Sequence, residues 1–236
     1  MLRDASMTPN GDMYKNYIVK RVDRPIEIDA DWNKPVWQEI EPIHLSYFMG
    51  KEPEHRPKTQ VKMAWDNDSV YVIFLVEDRF VRAAATEYFG NVWQDSCVEF
   101  FFTPQKEISD GYFNLETNCI GTILMCHQQA RGIGRVRPEI KDLEMIQIAA
   151  SLPKGQVLDP EITESMIWTL EYAIPIEILK RYTKAKTPAP GVIWRANFYK
   201  CADNTSHPHW LTWSKIPLDQ PDFHQPQYFG YIEFRD

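Results

Sequence analysis

Asn91-Val92-Trp93-Gln94-Asp95-Ser96-Cys97-Val98-Glu99-Phe100-Phe101-Phe102-Thr103-Pro104 starts as a polar loop with one tryptophan and becomes a strand so apolar that Glu99 stands out. Successive side chains of an extended chain point to opposite faces, so Phe100 and Phe102 share one face while Glu99 and Phe101 share the other. Counting back by twos adds Cys97 and Asp95 to the side of Glu99. A carboxylate among buried phenylalanines must be hydrogen-bonded, ion-paired or aimed at a ligand, because leaving it bare in an apolar setting is costly. Two acids and a large ring near one strand end suit a site for a polyhydroxylated ligand.

The segments around this strand repeat its character. Tyr17–Val22 reads as a first strand. Gln60–Trp65 alternates with period two, Asp66-Asn67-Asp68-Ser69 carries turn chemistry, and Val70–Val76 is apolar on both faces, which together predict a hairpin whose second arm is central in its sheet. Further strands follow at 112–118, 121–126, 146–150, 166–174 and 192–199, then near Trp210 and Trp213, and at 231–234. Apolar residues at 32, 36, 37 and 40 follow helical spacing, with Asp31 placed to cap and Pro35 tolerated in a first turn. Pro175 opens a second short helix through Leu179. With no βαβ spacing, internal repeat or dividing linker, the pattern predicts an all-β protein: a single antiparallel β-sandwich with two short helices, spanning 17–236 behind a flexible tail at 1–16. Trp32 and Trp37 would plug one end of the core. Trp65, Trp168, Trp194 and Trp213 would fill it, and Glu171 would be a paired structural acid. Ala130–Gly134 with Arg131, Arg135 and Arg137 reads as a solvated basic loop.

The net charge of −7 and the pI near 5.4 argue against nucleic acid or an anionic membrane as partner. No apolar run reaches transmembrane length, and the opening residues form no hydrophobic signal segment, so the compartment is open: inside the cell, or outside the cytoplasm if a leader has been removed. The four cysteines, Cys97, Cys119, Cys126 and Cys201, form no CxxC pair and are expected as free buried thiols. The acidic turn at 66–68 offers oxygen donors of the kind calcium takes, but Asp and Asn are default turn formers, so beyond that structural calcium no cofactor is expected.

The order and spacing of several segments resembles carbohydrate-binding module family 9, within the DOMON-like β-sandwich group, over nearly all of residues 17–236. The carriers are Asp29…Trp37, Trp65-Asp66 before Val70-Tyr71-Val72, and Trp93-Gln94-Asp95-Ser96-Cys97-Val98-Glu99-Phe100-Phe101. Glu116-Thr117-Asn118 with Gly121, Trp168 through Ile174-Pro175, Arg195–Tyr199 and Pro226-Gln227-Tyr228-Phe229-Gly230 complete the set. The resemblance implies a non-catalytic module, in service of a polysaccharide-degrading system, whose partner is a mono- or oligosaccharide. Two aromatic rings would clamp the terminal sugar of a glycan while acidic, amide and basic side chains grip its hydroxyls. The first ring falls on Trp93, the grip acid on Glu99, and a hairpin pair on Glu116 and Asn118. Where the family can carry a basic residue, this chain has the acid Glu116. The second ring falls on Phe223, not a tryptophan, with a polar position near Gln220. Arg195 and His224 stand as further contributors.

These residue types suit a sugar, because a flat ring covers the apolar C–H face of a pyranose and carboxyls and amides meet its hydroxyl rim. Three rival readings remain open at this stage. Asp95 with Glu99, or Glu99 with Glu116, could be the paired carboxylates of a glycoside hydrolase. His207 and His209, with Met63, Met125 and Met166, could ligate haem or a metal as in related DOMON-like domains. The acid at Glu116 and the phenyl ring of Phe223 also allow a plain interaction module without a sugar.

Overall fold

The computed structural model describes Met7, Gly11 and residues 13–236. Of the tail expected at 1–16, residues 1–6, 8–10 and 12 lie outside the described residues. The elements in order are β1 (Asn16–Arg21), α1 (Pro35–Gln38), β2 (Ile43–His44), β3 (Tyr47–Phe48), β4 (Lys58–Trp65), β5 (Ser69–Asp78), β6 (Val81–Ala83), β7 (Cys97–Thr103), β8 (Tyr112–Asn118) and β9 (Ile123–Gln128). They continue with α2 (Ile140–Leu143), β10 (Gln147–Ala150), β11 (Leu158–Ile162), β12 (Met166–Pro175), α3 (Ile176–Tyr182), β13 (Ile193–Cys201), β14 (Trp210–Thr212) and β15 (Gly230–Arg235).

Hydrogen bonds link the main strands in the path β10-β12-β5-β4-β1-β15-β13-β7-β8-β9. The path doubles back, so that β5 and β12 pack face to face with β7, β8 and β13, as in the expected sandwich. Phe74 of β5 meets Phe198 of β13 at 6.2 Å between ring centroids. Phe100 stacks on Phe198 at 5.0 Å and on Phe102 at 4.3 Å, and Phe102 stacks on Trp194. Trp65, Trp168, Trp194 and Trp213 all belong to this core, as their alternating strands predicted. The seam departs from a purely antiparallel plan: β1 runs parallel to both β15 and β4.

On the outer face of β4, β5 and β12 lies a smaller apolar layer of Trp37, Ile40, Ala64, Tyr71, Ile73 and Ala173. Helix α1 is shorter than the spacing suggested and starts after Lys34, with Pro35 in its first turn. Asp31 does not cap it; its carboxylate accepts the Asn33 N–H in a tight turn instead. Pro175 flanks α3 rather than opening it, and α2 adds a third helix that the sequence pattern did not announce. Asp66 closes the β4–β5 turn: Oδ1 accepts from the N–H groups of Asp68 and Ser69, and Oδ2 from the Tyr71 hydroxyl. All four cysteines are free and buried.

Glu171 anchors the outer layer. Its fully buried carboxylate accepts from Ala30 N–H and Trp37 Nε1–H at 2.8 Å, from Asp29 N–H at 3.0 Å, and from Lys34 Nζ at 2.8 Å. The paired structural acid expected from sequence is therefore the clamp that holds the α1 segment to the sheet. Replacing it leaves three buried N–H donors without their acceptor and takes from Lys34 one of its two carboxylate partners, Asp29 being the other, a loss of about 3–5 kcal/mol. Chemical denaturation of Glu171→Ala should show that drop, and a change below about 1 kcal/mol would contradict this role.

Candidate functional site

The site grows from the outward face of β13, β7, β8 and β9, the face opposite the phenylalanine core. Register pairs Glu99 of β7 directly with Glu116 of β8, and Tyr199 of β13 with Glu99. The same alternation brings Leu124 and Gln128 of β9 beside Glu116 and Tyr112. Because this face is covered by loops, its side chains are as buried as those of the core: Glu99 is 2% exposed and Glu116 is 5% exposed. Between the sheet and those loops lies a cavity of about 380 Å³. Glu99, Phe101, Asn114, Glu116, Leu124, Gln128 and Cys201 line it from the sheet; Trp93, Arg131, Arg135, Asp203 and Pro221–His224 line it from the loops, and Trp210 from the start of β14.

Loops fix the aromatic walls. Trp93 sits on a single helical turn, Val92–Gln94, whose valine is buried while the indole is 37% exposed. The backbone N–H groups of Asp203 and Asn204 donate to the carbonyls of Trp93 and Gln94. Phe223 stacks on Tyr199 at 4.0 Å, and the Tyr199 hydroxyl donates to the Phe223 carbonyl. Trp210 is held by its indole N–H on Asp203 Oδ1 at 2.7 Å.

The polar floor is a directed chain. Gly132 N–H donates to Gln128 Oε1, Gln128 Nε2 donates to Asn114 Oδ1, and Asn114 Nδ2 donates to Glu116 Oε1. Gln128 Nε2 also lies 3.2 Å from His224 Nδ1, which the Tyr112 hydroxyl approaches at 2.8 Å. An amide NH₂ can only donate, so Nδ1 is the acceptor and His224 carries its proton on Nε2. Burial lowers the His224 pKa to about 4, which keeps the ring neutral.

The acids are shifted the other way. Burial, and then the neighbouring Cys201 and Glu116, hold the Glu99 proton well above the usual carboxylate range. The Cys201 thiol donates to Glu99 Oε1 at 3.1 Å. Burial pushes Glu116 up to about 7, against the opposing hydrogen bond from Asn114. Asp203 rises to about 6, again by burial, with Trp210 opposing. The cavity therefore presents carboxyl groups that can donate as well as accept, beside amides that do both.

Of the residues singled out by sequence, Trp93, Glu99, Glu116, Phe223 and His224 meet at this cavity. Asn118 does not. Its amide donates to Asp95 Oδ2 and the Ala85 carbonyl and accepts from Thr122 N–H, so it braces the loop ahead of β7. Asp95, the alternative partner of Glu99, has both oxygens engaged by Arg82, the Ala84 and Ala85 N–H groups and Asn118. Arg195 lies toward the far end of β13, donating to the Phe229 carbonyl between the rings of Tyr14 and Tyr231. Gln220 lines a neighbouring groove instead. The basic loop read as a plain connection brings Arg131 and Arg135 to the rim. Asn114 and Gln128 were also missed, although Asn114 shares the strand face of Glu116 and period-two counting from Glu116 reaches it.

The histidine pair reads as structure. His209 Nδ1 bonds the His207 carbonyl, and Nε2 lies 2.8 Å from the buried Lys200 ammonium, while His207 stacks on Phe80. Lys200 in turn lies 3.3 Å from Asp78, which also meets His55. Met63 and Met125 are buried in the core.

The model of carbohydrate-binding family 9 matches residues 27–234. Among solved structures, a Bacteroides uniformis protein presented as a candidate carbohydrate-binding protein superposes with a TM-score of 0.81 at 29% identity, covering 94% of this chain and 99% of that one. A family 9 module from Caldicellulosiruptor kristjanssonii in complex with cellotriose superposes with a TM-score of 0.62 at 15% identity, covering 94% of each chain. The same organism's module in complex with glucose gives the same score and identity, covering 93% of this chain and 95% of that one. Comparison with curated proteins returns no match.

The shifted acid at the floor has a measurable consequence. Glu116 keeps its proton up to about 7 in the folded protein but releases it near 4.5 when unfolded. Between those values the folded state binds more protons, so its stabilising effect is complete below the unfolded pKa and is lost as pH rises through the folded one. Glu116→Gln should remove a decline on the order of 3 kcal/mol from the stability–pH curve across that window. Parallel curves for the two proteins would contradict the assignment.

Proposed function

Since the chain belongs to carbohydrate-binding family 9, we propose that it is a non-catalytic protein that holds the terminal sugar of a glycan in the cavity above Glu99 and Glu116. The observation that carries this reading is one cavity in which a partly exposed indole overlooks two directly opposed, desolvated carboxyl groups. Trp93 would cover one C–H face of the ring, and Phe223, backed by Tyr199, would form the second wall. Glu99 and Glu116 would exchange hydrogen bonds with the hydroxyls, helped by Asn114, Gln128 and the Nε2–H of His224. Glu116, where the family can carry a base, gives this floor a donor–acceptor pattern of its own.

The ionisation pattern favours binding over hydrolysis. Paired catalytic carboxyls divide their work because their surroundings push their pKa values apart, leaving one acid and one charged base or nucleophile. Here burial drives Glu99 and Glu116 in the same direction.

Magnitudes suit a capture site. Two ring faces covering on the order of 120 Å² contribute about 3 kcal/mol. Hydrogen bonds between neutral groups add roughly 0.5–1.5 kcal/mol each, and Glu99, Glu116, Asn114, Gln128 and His224 offer several, against an association cost of about 4 kcal/mol or more. The balance lies in the micromolar to millimolar range. Isothermal titration of a panel of mono- and oligosaccharides, glucose and cellotriose included, should find at least one ligand in that range. Trp93→Ala should weaken it about tenfold or more, equivalent to about 1.4 kcal/mol, with Tm unchanged. Unaltered affinity in that variant would remove the indole from the site.

A further inference from the structure

Three side chains that carry metal-binding donors meet at the floor of the cavity. Register sets Cys97 of β7 directly opposite Cys201 of β13, and Glu99 follows Cys97 by two residues, so all three stand on the outer face of the sheet. Their donor atoms, two sulfurs and a carboxyl oxygen, all lie within 4.8 Å of one another. The Cys201 sulfur is 3.1 Å from Glu99 Oε1 and 3.5 Å from the Trp93 carbonyl oxygen. Cys97, Glu99 and Cys201 are buried, yet Glu99 and Cys201 also line the cavity, which leaves an approach from that side. Among the described residues no other group of cysteine, histidine and acid side chains converges in this way. Cys126 and Cys119 stand apart from it: Arg135 Nε donates to the first, and the second lies against the Arg82 carbonyl.

The donor types decide what such a group can hold. Calcium and magnesium take oxygen ligands, whereas thiolates select zinc and its softer relatives. A tetrahedral zinc ion, bound by sulfur at about 2.3 Å and by oxygen at about 2.0–2.2 Å, keeps its donors roughly 3.6–3.8 Å apart. Donors already within 4.8 Å reach that spacing by small side-chain rotations. The charges also close. Two thiolates balance one divalent cation, so a neutral unit forms where the surroundings disfavour charge, with Glu99 lending a carboxyl oxygen. The two thiol protons leave for solvent, no electron is transferred and no oxidant is needed. For a fourth position the Trp93 carbonyl or a water from the cavity is at hand. No CxxC spacing announces this pair, because strand pairing rather than sequence brings it together.

We propose that Cys97, Glu99 and Cys201 form a site for a thiophilic divalent cation of the zinc class. The inference goes beyond the carbohydrate reading and stands apart from it, since it needs no sugar. The test is titration of the reduced, sugar-free protein with cadmium chloride, whose thiolate bonds absorb in the ultraviolet. Uptake is read after equilibration and again after refolding with the ion present, so that slow entry past the loops does not mask it. The wild type should bind one cadmium ion per chain with the absorption of two thiolate bonds. Zinc should displace the cadmium and raise Tm, and excess calcium should do neither. Cys97→Ser and Cys201→Ser should each lose this uptake, and Cys126→Ser should keep it, with the metal-free Tm of each variant as its folding control. Glu99→Gln should keep the absorption but bind at least about tenfold more weakly, since even outer partners of a metal site are worth that much. Should a serine variant not fold, the stoichiometry and absorption of the wild type decide on their own. No thiolate absorption in the wild type, uptake that survives in both folded serine variants, or unchanged affinity in Glu99→Gln overturns the site and leaves the sugar reading untouched.

Discussion

Burial of one sheet on both of its faces is the constraint that shapes the rest of this molecule. In β7, β8 and β9, and in β13 beyond Ile193, every residue is buried, yet the two faces are covered by different things. The inner face meets the opposing leaf through Phe100, Phe102, Phe113 and Phe198. The outer face meets loops, and there the chain places Glu99, Asn114, Glu116 and Gln128. A slip of one residue in β7 would exchange the faces, putting Glu99 into the phenylalanine stack and Phe100 into the cavity. The packing that makes the core stable thus also fixes where the carboxyl groups stand.

That arrangement has an electrostatic consequence. Two carboxyl groups placed opposite each other on neighbouring strands and removed from water are poor places for charge, and both are pushed toward their protonated forms. Neutral acids beside amides and a neutral histidine form a surface that suits an uncharged, hydroxyl-rich ligand, since neither partner need give up an ionic hydration shell. The polar node of Lys200, Asp78 and His55 lies apart from this floor. Lys200 sits one residue from Cys201 and so points to the opposite face of β13.

Period-two alternation made the fold legible. From it the sequence shows the β4–β5 hairpin, the core tryptophans, the isolated Glu171 and the exceptional position of Glu99. Burial on both faces made Asn114 and Gln128 hard to recognise, because an amide in a strand announces nothing until the neighbouring strand is placed. The failures at Asn118 and Arg195 have a different cause. Both occupy strands and faces that lead to the site, but Asn118 is claimed by Asp95 and the Ala85 backbone, and Arg195 stands too far along β13. Strand parity tells which face a residue shares, while reach along the strand depends on loops such as 219–224 whose course local pattern does not encode. The parallel seam at β1 was likewise invisible, since pairing partners at opposite ends of a chain leave no local mark.

The most direct test of the central claim follows the eight indole N–H signals of isotopically labelled protein during titration with a sugar that binds. The account predicts that the resonances of Trp93 and Trp210 move and saturate together while those of Trp65, Trp168 and Trp194 stay in place. Movement confined to the core indoles, or saturation of the protein with no change at Trp93, would contradict it.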